Sequence, residues 1–206
     1  MSTLMKWLSS LALVVAVLPL GPSGPASGTP PDVSLDPRTP LKLLTEAEEV
    51  QEEVKVTADQ RAAAGAIRQR LERGQLSAEQ AMNQLAAVLK PGQWKRLNEA
   101  SWQARGGAAL IEPVVASAVE LADGQKRELA EIWSAATREV RDHLERARFP
   151  SETARRAYIV KRLDQAGDRM LALLTEQQQA RFRTLQGAKC VLPEWARPVS
   201  RTAPDR

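Results

Sequence analysis

Along most of this chain apolar residues return every three or four positions, and no long stretch alternates apolar with polar residues one by one. That spacing belongs to helices with one buried face, where single alternation would mark half-buried strands. The clearest stripe is Leu129, Ile132, Trp133, Ala136, Val140, Leu144 and Ala147. Phe149-Pro150-Ser151 breaks it, and Ser151 is placed to cap a following helix whose stripe is Ile159, Leu163, Ala166, Met170 and Leu173. Either helix alone leaves its stripe in water. Burying one Leu or Ile is worth roughly 1.5–3 kcal/mol, so the two are expected to fold back as an antiparallel hairpin. Gly and Pro are sparse here, while Ala, Leu, Glu, Gln and Arg dominate. An all-α fold of antiparallel helical hairpins is expected.

A short phrase recurs where these helices begin. In Leu174-Thr175-Glu176-Gln177-Gln178, the Thr hydroxyl can accept from an otherwise unpaired backbone N–H, and Gln178 can reach back to the N–H of the cap. This is the capping box. It returns as Val56-Thr57…Gln60, Leu76-Ser77…Gln80, Leu89-Lys90…Gln93 and Leu121-Ala122…Gln125, with Leu44-Thr45…Glu48 as a variant. In the third copy Lys90 replaces the cap and Pro91 takes a favourable first helical position. A larger repeat lies behind the phrase: Val50, Val54, Val56, Gln60 and Ile67 align with Val115, Val119, Leu121, Gln125 and Ile132. Two related helical units are therefore expected, 43–105 and 113–187, joined at Gly106-Gly107.

The ends read differently. Residues 1–28 have Lys6, an apolar run from Trp7 to Leu20, then small residues and prolines, the layout of a cleaved signal peptide. The apolar run is short for a membrane span, which needs about 20 residues. Residues 29–42 read as a disordered Pro-rich spacer, and 188–206 as a disordered tail. An exported mature chain follows, in the periplasm or otherwise secreted. Cys190 is the one cysteine, so no disulfide within the chain braces the fold, and a free thiol in the tail is expected. The formal net charge is +4, from 29 basic and 25 acidic residues. Outside the cytoplasm the partners such a surface suits are anionic lipid headgroups, acidic polymers or unfolded polypeptides rather than nucleic acid, and a solvated surface of mixed charge is the commoner explanation.

No hydrolase elbow, P-loop, HExxH or CxxC occurs. The single histidine, His143, has no marked nucleophile to serve, so no enzyme and no cofactor are expected. A metal site would have to combine His143 with Asp142 or Glu139 and is not expected either.

The phrases "LTEQQ" from Leu174, "VTADQ" from Val56 and "LSAEQ" from Leu76 resemble the LTXXQ-motif proteins, the Spy/CpxP group of the bacterial periplasm, over residues 44–187. The resemblance implies a thin, cradle-shaped helical protein, dimeric in most members, that acts as an ATP-independent chaperone or modulates envelope-stress sensing. This chain carries more copies of the phrase than that pattern, two of them degenerate, so its two units could instead pack on each other. The implied partners are unfolded or misfolded envelope proteins, or an envelope sensor protein. Two alternatives stand beside this reading: a metal-responsive periplasmic sensor domain, and a structural envelope assembly protein.

The candidate client-binding residues are Arg141, Arg148, Arg155 and Arg162, whose spacing could display them along one side of the hairpin, together with Trp102 beside the Gly-Gly joint. Trp133 is expected in the core, and Trp195 either docked on a groove or free.

Overall fold

Helices account for all the regular structure among the described residues, 37–197 of a computed structural model, and no strand occurs there. The fold is all-α. The chain runs through α1 (Arg38–Glu46), α2 (Glu48–Val54), α3 (Ala58–Glu72), α4 (Ala78–Val88) and α5 (Pro91–Arg105), then a 3₁₀ turn (Gly106–Ile111). It continues through α6 (Pro113–Ala118), α7 (Asp123–Arg146), α8 (Glu152–Ala172) and α9 (Glu176–Gln186) to a last 3₁₀ turn (Glu194–Ala196). The segment read as a signal peptide, the spacer up to residue 36, and residues 198–206 lie outside the described residues.

Buried apolar side chains form two clusters. Leu41, Leu43, Leu44, Val50, Met82, Leu85 and Leu97 make the centre of the first, and Leu110, Val115, Val119, Leu129, Met170 and Phe182 that of the second. Each cluster is built by the same succession: a short helix, a helical hairpin, and a closing helix. In the first, α2 is followed by the α3/α4 hairpin and by α5. In the second, α6 is followed by the α7/α8 hairpin and by α9. The short helices pack on the closing ones, α2 on α5 and α6 on α9.

The correspondence extends to the backbone. Lys55 (φ 57°) and Glu120 (φ 58°) both adopt the left-handed conformation at the ends of α2 and α6. The next residue then donates back into the helix, Val56 N–H to Gln51 O at 3.0 Å and Leu121 N–H to Ala116 O at 2.9 Å. This is the Schellman termination, and it turns Val56 and Leu121 back toward the core.

The phrase glutamines then join the helices of each cluster. Thr57, Ser77 and Thr175 each accept from the backbone N–H three residues on. Gln60 Oε1 accepts from Thr57 N–H at 3.1 Å, and Gln93 Oε1 from Lys90 N–H at 2.9 Å. Across the gap, Gln60 Nε2 donates to Gln93 Oε1 at 2.9 Å and to Val88 O at 2.9 Å. Gln93 Nε2 donates to Gln60 Oε1 at 3.1 Å and to Lys55 O at 2.7 Å. Gln125 and Gln178 repeat this bond for bond: they exchange amide bonds at 2.9 Å and reach Leu173 O and Glu120 O at 3.2 Å. They accept in turn from Ala122 and Thr175 N–H at 3.1 Å. Gln80 closes only its own box with Ser77.

Three expectations change. Thr45 does not start a helix: α1 runs through it and its hydroxyl donates to Leu41 O at 2.9 Å. The buried run Leu41, Leu43 and Leu44 holds α1 in place, so Pro40, read as spacer, sits buried in its first turn, where proline is tolerated. Residues 188–197, read as tail, are seated on the first cluster through Cys190, Leu192 and Ala196. Gln103 of α5 fastens them, accepting from Cys190 N–H at 2.8 Å and donating to Gln186 O and Ala188 O at 2.7 Å. Gly106-Gly107, where the two units were expected to join, lies in the 3₁₀ turn between α5 and α6, pressed so closely on α8 that a Cβ at Gly107 would collide with the backbone of Gly167.

Candidate binding surface

The α7/α8 hairpin forms an arm. With 24 residues α7 is about 36 Å long at about 1.5 Å per residue. Its base joins the second cluster through Leu129 and Met170, with Ala166 of α8 also buried, whereas farther out Val140 alone is buried. Ile132, Trp133, Ala136, Leu144, Ala147, Ile159 and Leu163 are half-buried, since two helices side by side cover only one flank of each stripe. Near the tip His143 stacks on Tyr158 with ring centroids 4.2 Å apart and meets Phe149 edge-on at 5.6 Å. His143 thus pins the tip through its ring. Among the described residues no three His, Cys, Asp or Glu side chains converge as metal ligands.

Between Arg138 and Arg162 the arm carries eight basic residues and four acidic ones, so this segment holds the equivalent of the whole chain's formal net charge of +4. Of the residues singled out from the sequence, Arg141 and Arg155 are exposed and lie beside acids of their own helix, Asp142 at 3.8 Å and Glu152 at 3.2 Å. Arg148 is exposed in the turn. Arg162 belongs elsewhere: its guanidinium bonds Glu139 of α7 and ties the two helices together. Among the described residues Arg138, Arg146, Arg148, Arg156 and Lys161 form no ion pair. Arg138 and Arg146 are set along one line of α7 beside His143 and Tyr158, a placement that helical spacing alone could have suggested.

The tryptophans exchange roles. Trp102 is only 9 % exposed and lies in the second cluster, its indole N–H donating to Glu112 Oε2 at 3.1 Å. Glu112, 2 % exposed, is also paired with Arg105, so a buried carboxylate is satisfied from two sides and Trp102 is a structural residue. Trp133, expected in the core, is half-buried and faces a groove of about 460 Å³. Trp195 lines the same groove from the C-terminal segment, with Lys42 Nζ 4.0 Å from its ring centroid.

Cys190 is buried rather than displayed in a tail. Burial pushes its thiol up to about 12, assisted by Glu53, whose Oε2 accepts from Sγ at 2.8 Å. A thiol this basic stays protonated near neutrality and is a poor nucleophile. Burial would raise the Glu53 carboxyl, but the hydrogen bonds from Cys190 and Arg96 and the charge of Arg96 outweigh it and hold it below its ordinary value.

No described helix is long and apolar enough to cross a membrane. No family model, curated protein or solved structure matches the chain.

Proposed function

We propose that this chain is an exported helical binding protein that holds partly unfolded proteins without ATP, in the manner implied by its resemblance to the Spy/CpxP group, with modulation of envelope-stress sensing as a related role. The observation that carries this reading is the arm: a concentration of unpaired basic side chains laid over an apolar stripe that its own hairpin covers only in part. Charge draws a client in over a distance set by ionic strength, about 8–10 Å near physiological salt. Apolar contact with the half-buried stripe then holds it. A client that buries its own core withdraws the surface it offered and leaves. No bond is made or broken in this cycle, so it requires neither a nucleotide nor a catalytic group.

The test is suppression of aggregation of a chemically reduced or heated client in the absence of nucleotide. The wild-type chain is expected to suppress it at substoichiometric amounts and less well at high salt. The Arg141→Glu, Arg148→Glu, Arg156→Glu triple variant, which leaves the Arg162–Glu139 tie intact, is expected to lose most of the effect. Full suppression by that variant would reject the arm as the binding surface.

A further inference from the structure

The groove at the base of the arm has a composition of its own. Its apolar wall is Ile111, Trp133, Val160, Leu163 and Trp195, drawn from the 3₁₀ turn, both arm helices and the C-terminal segment. Arg38, Arg105 and Asp164 also line it, and each is engaged by other groups. Two further guanidiniums flank the wall. Arg197 lines the groove, its Nε donating to Leu192 O at 2.7 Å. Arg156 lies one helical turn from Val160, toward the tip and on the same face of α8. Neither has an ion-pair partner among the described residues. A carboxylate is the natural counterpart of each.

We infer that this groove receives a short extended client segment in which large apolar side chains are flanked by acidic residues. The inference rests on the client-holding function proposed above and gives that function a sequence preference. About 460 Å³ lies within the range of roughly 300–1,000 Å³ typical of small-ligand sites. A space of that size takes a few side chains rather than a folded surface. Two indole rings supply rigid apolar area at little entropic cost, and the Lys42 ammonium against Trp195 keeps that wall positive. Acidic flanks then find a counterpart in Arg197 within the groove and in Arg156 one turn beyond Val160, while basic flanks meet like charge.

The experiment measures fluorescence anisotropy of labelled peptides with the full chain. The peptides carry Leu-Phe-Leu between paired Asp residues, the same core between paired Lys residues, or Ser-Ser-Ser between paired Asp residues. The first is expected to bind at least tenfold more tightly than either of the others. Trp133→Ala with Trp195→Ala should weaken it at least tenfold. Arg156→Glu with Arg197→Glu, both at exposed side chains, should invert the preference between Asp and Lys flanks. Equal affinity for all three peptides, or an unchanged preference in the charge-reversed variant, overturns the inference. If the groove variants bind no peptide differently yet wild type suppresses aggregation, the inference falls and the proposed function stands. If wild type shows the peptide preference but suppresses no aggregation, the groove stands and the proposed function falls.

Discussion

Gln60 and Gln93 fill each other's hydrogen-bonding capacity: every donor and acceptor position of both amides is used, two on each Nε2 and two on each Oε1. A capping box by itself accepts Glu as readily as Gln, because it needs only an acceptor for the cap's N–H. The cross-bond also needs a donor. Gln60→Glu removes the bonds to Val88 O and Gln93 Oε1 and sets an anion against both acceptors, so a cost of about 1–3 kcal/mol is expected. Gln178→Glu should behave alike. Gln80→Glu, whose amide closes only a local box in the first turn of α4, should change stability by less than about 0.5 kcal/mol. Urea titration of the three variants checks this. Equal effects at Gln60 and Gln80 would mean the cross-bond contributes nothing.

The contrast between Gln60 and Gln80 also marks how far the sequence can be read. Both stand at the fifth position of the same phrase, and the local reason for Gln, a reach back to the cap, was legible at each. Which of them meets a second glutamine depends on where another helix lies, and no local pattern encodes that. The all-α fold, the α7/α8 hairpin and the constant offset linking Val50 to Val115 were legible because periodicity and repetition carry them. Trp133 packs against the second cluster but is only half-buried, because a stripe shows which face is apolar, not how much of it a neighbour covers. Trp102 was misplaced because its partner, Glu112, is reached only through the fold of the intervening 3₁₀ turn. The seat of residues 188–197 was hidden by polar composition, since few of its side chains, Cys190, Leu192 and Ala196, are buried in the first cluster, and the hydrogen bonds from Gln103 that fasten it depend on where α5 lies.

Gly107 and Gly167 approach each other asymmetrically. A methyl group at Gly107 would run into the carbonyl of Gly167, which belongs to the backbone of α8 and cannot swing aside. A methyl group at Gly167 would meet Gly107 N at 3.6 Å, an ordinary contact. Gly107→Ala is therefore expected to cost about 1–3 kcal/mol or more through overpacking. Gly167→Ala should be neutral or stabilising by up to about 1 kcal/mol, the helix preference for Ala over Gly. Thermal melts of the two variants should shift in opposite directions or differ by several degrees. A larger loss at Gly167 would contradict this packing.

Trp94 and Trp102 are both buried, yet only Trp102 uses its indole N–H. Trp94 Nε1 has no hydrogen-bond partner among the described residues, whereas Trp102 Nε1 serves the buried Glu112. Replacement by Phe removes similar packing at both positions. At Trp102 it also takes a donor from a buried carboxylate, a bond worth about 1.5–3 kcal/mol. Trp102→Phe is thus expected to be the more damaging by about that amount, measured as the difference in unfolding free energy between the two variants. Equal losses would show that Arg105 alone satisfies Glu112.

The Cys190 thiol makes the first core sensitive to alkali. Its folded-state value is raised to about 12 from an ordinary 9.0, so the folded chain holds this proton more tightly than the unfolded one. The linked stability is fully present below about pH 9 and is lost progressively as pH rises from there toward 12. Cys190→Ala removes the titrating group and the bond to Glu53, lowering stability at neutral pH while flattening its alkaline decline. The stability difference between wild type and Cys190→Ala should narrow steadily above pH 9. Glu53, held below its ordinary value, works in the other direction: its contribution is complete above about pH 4.5 and fades as acid protonates it. Denaturant titrations of wild type and Cys190→Ala at pH 7, 9 and 10.5 decide the matter, and a constant gap between the two across that range would remove the thiol from the account.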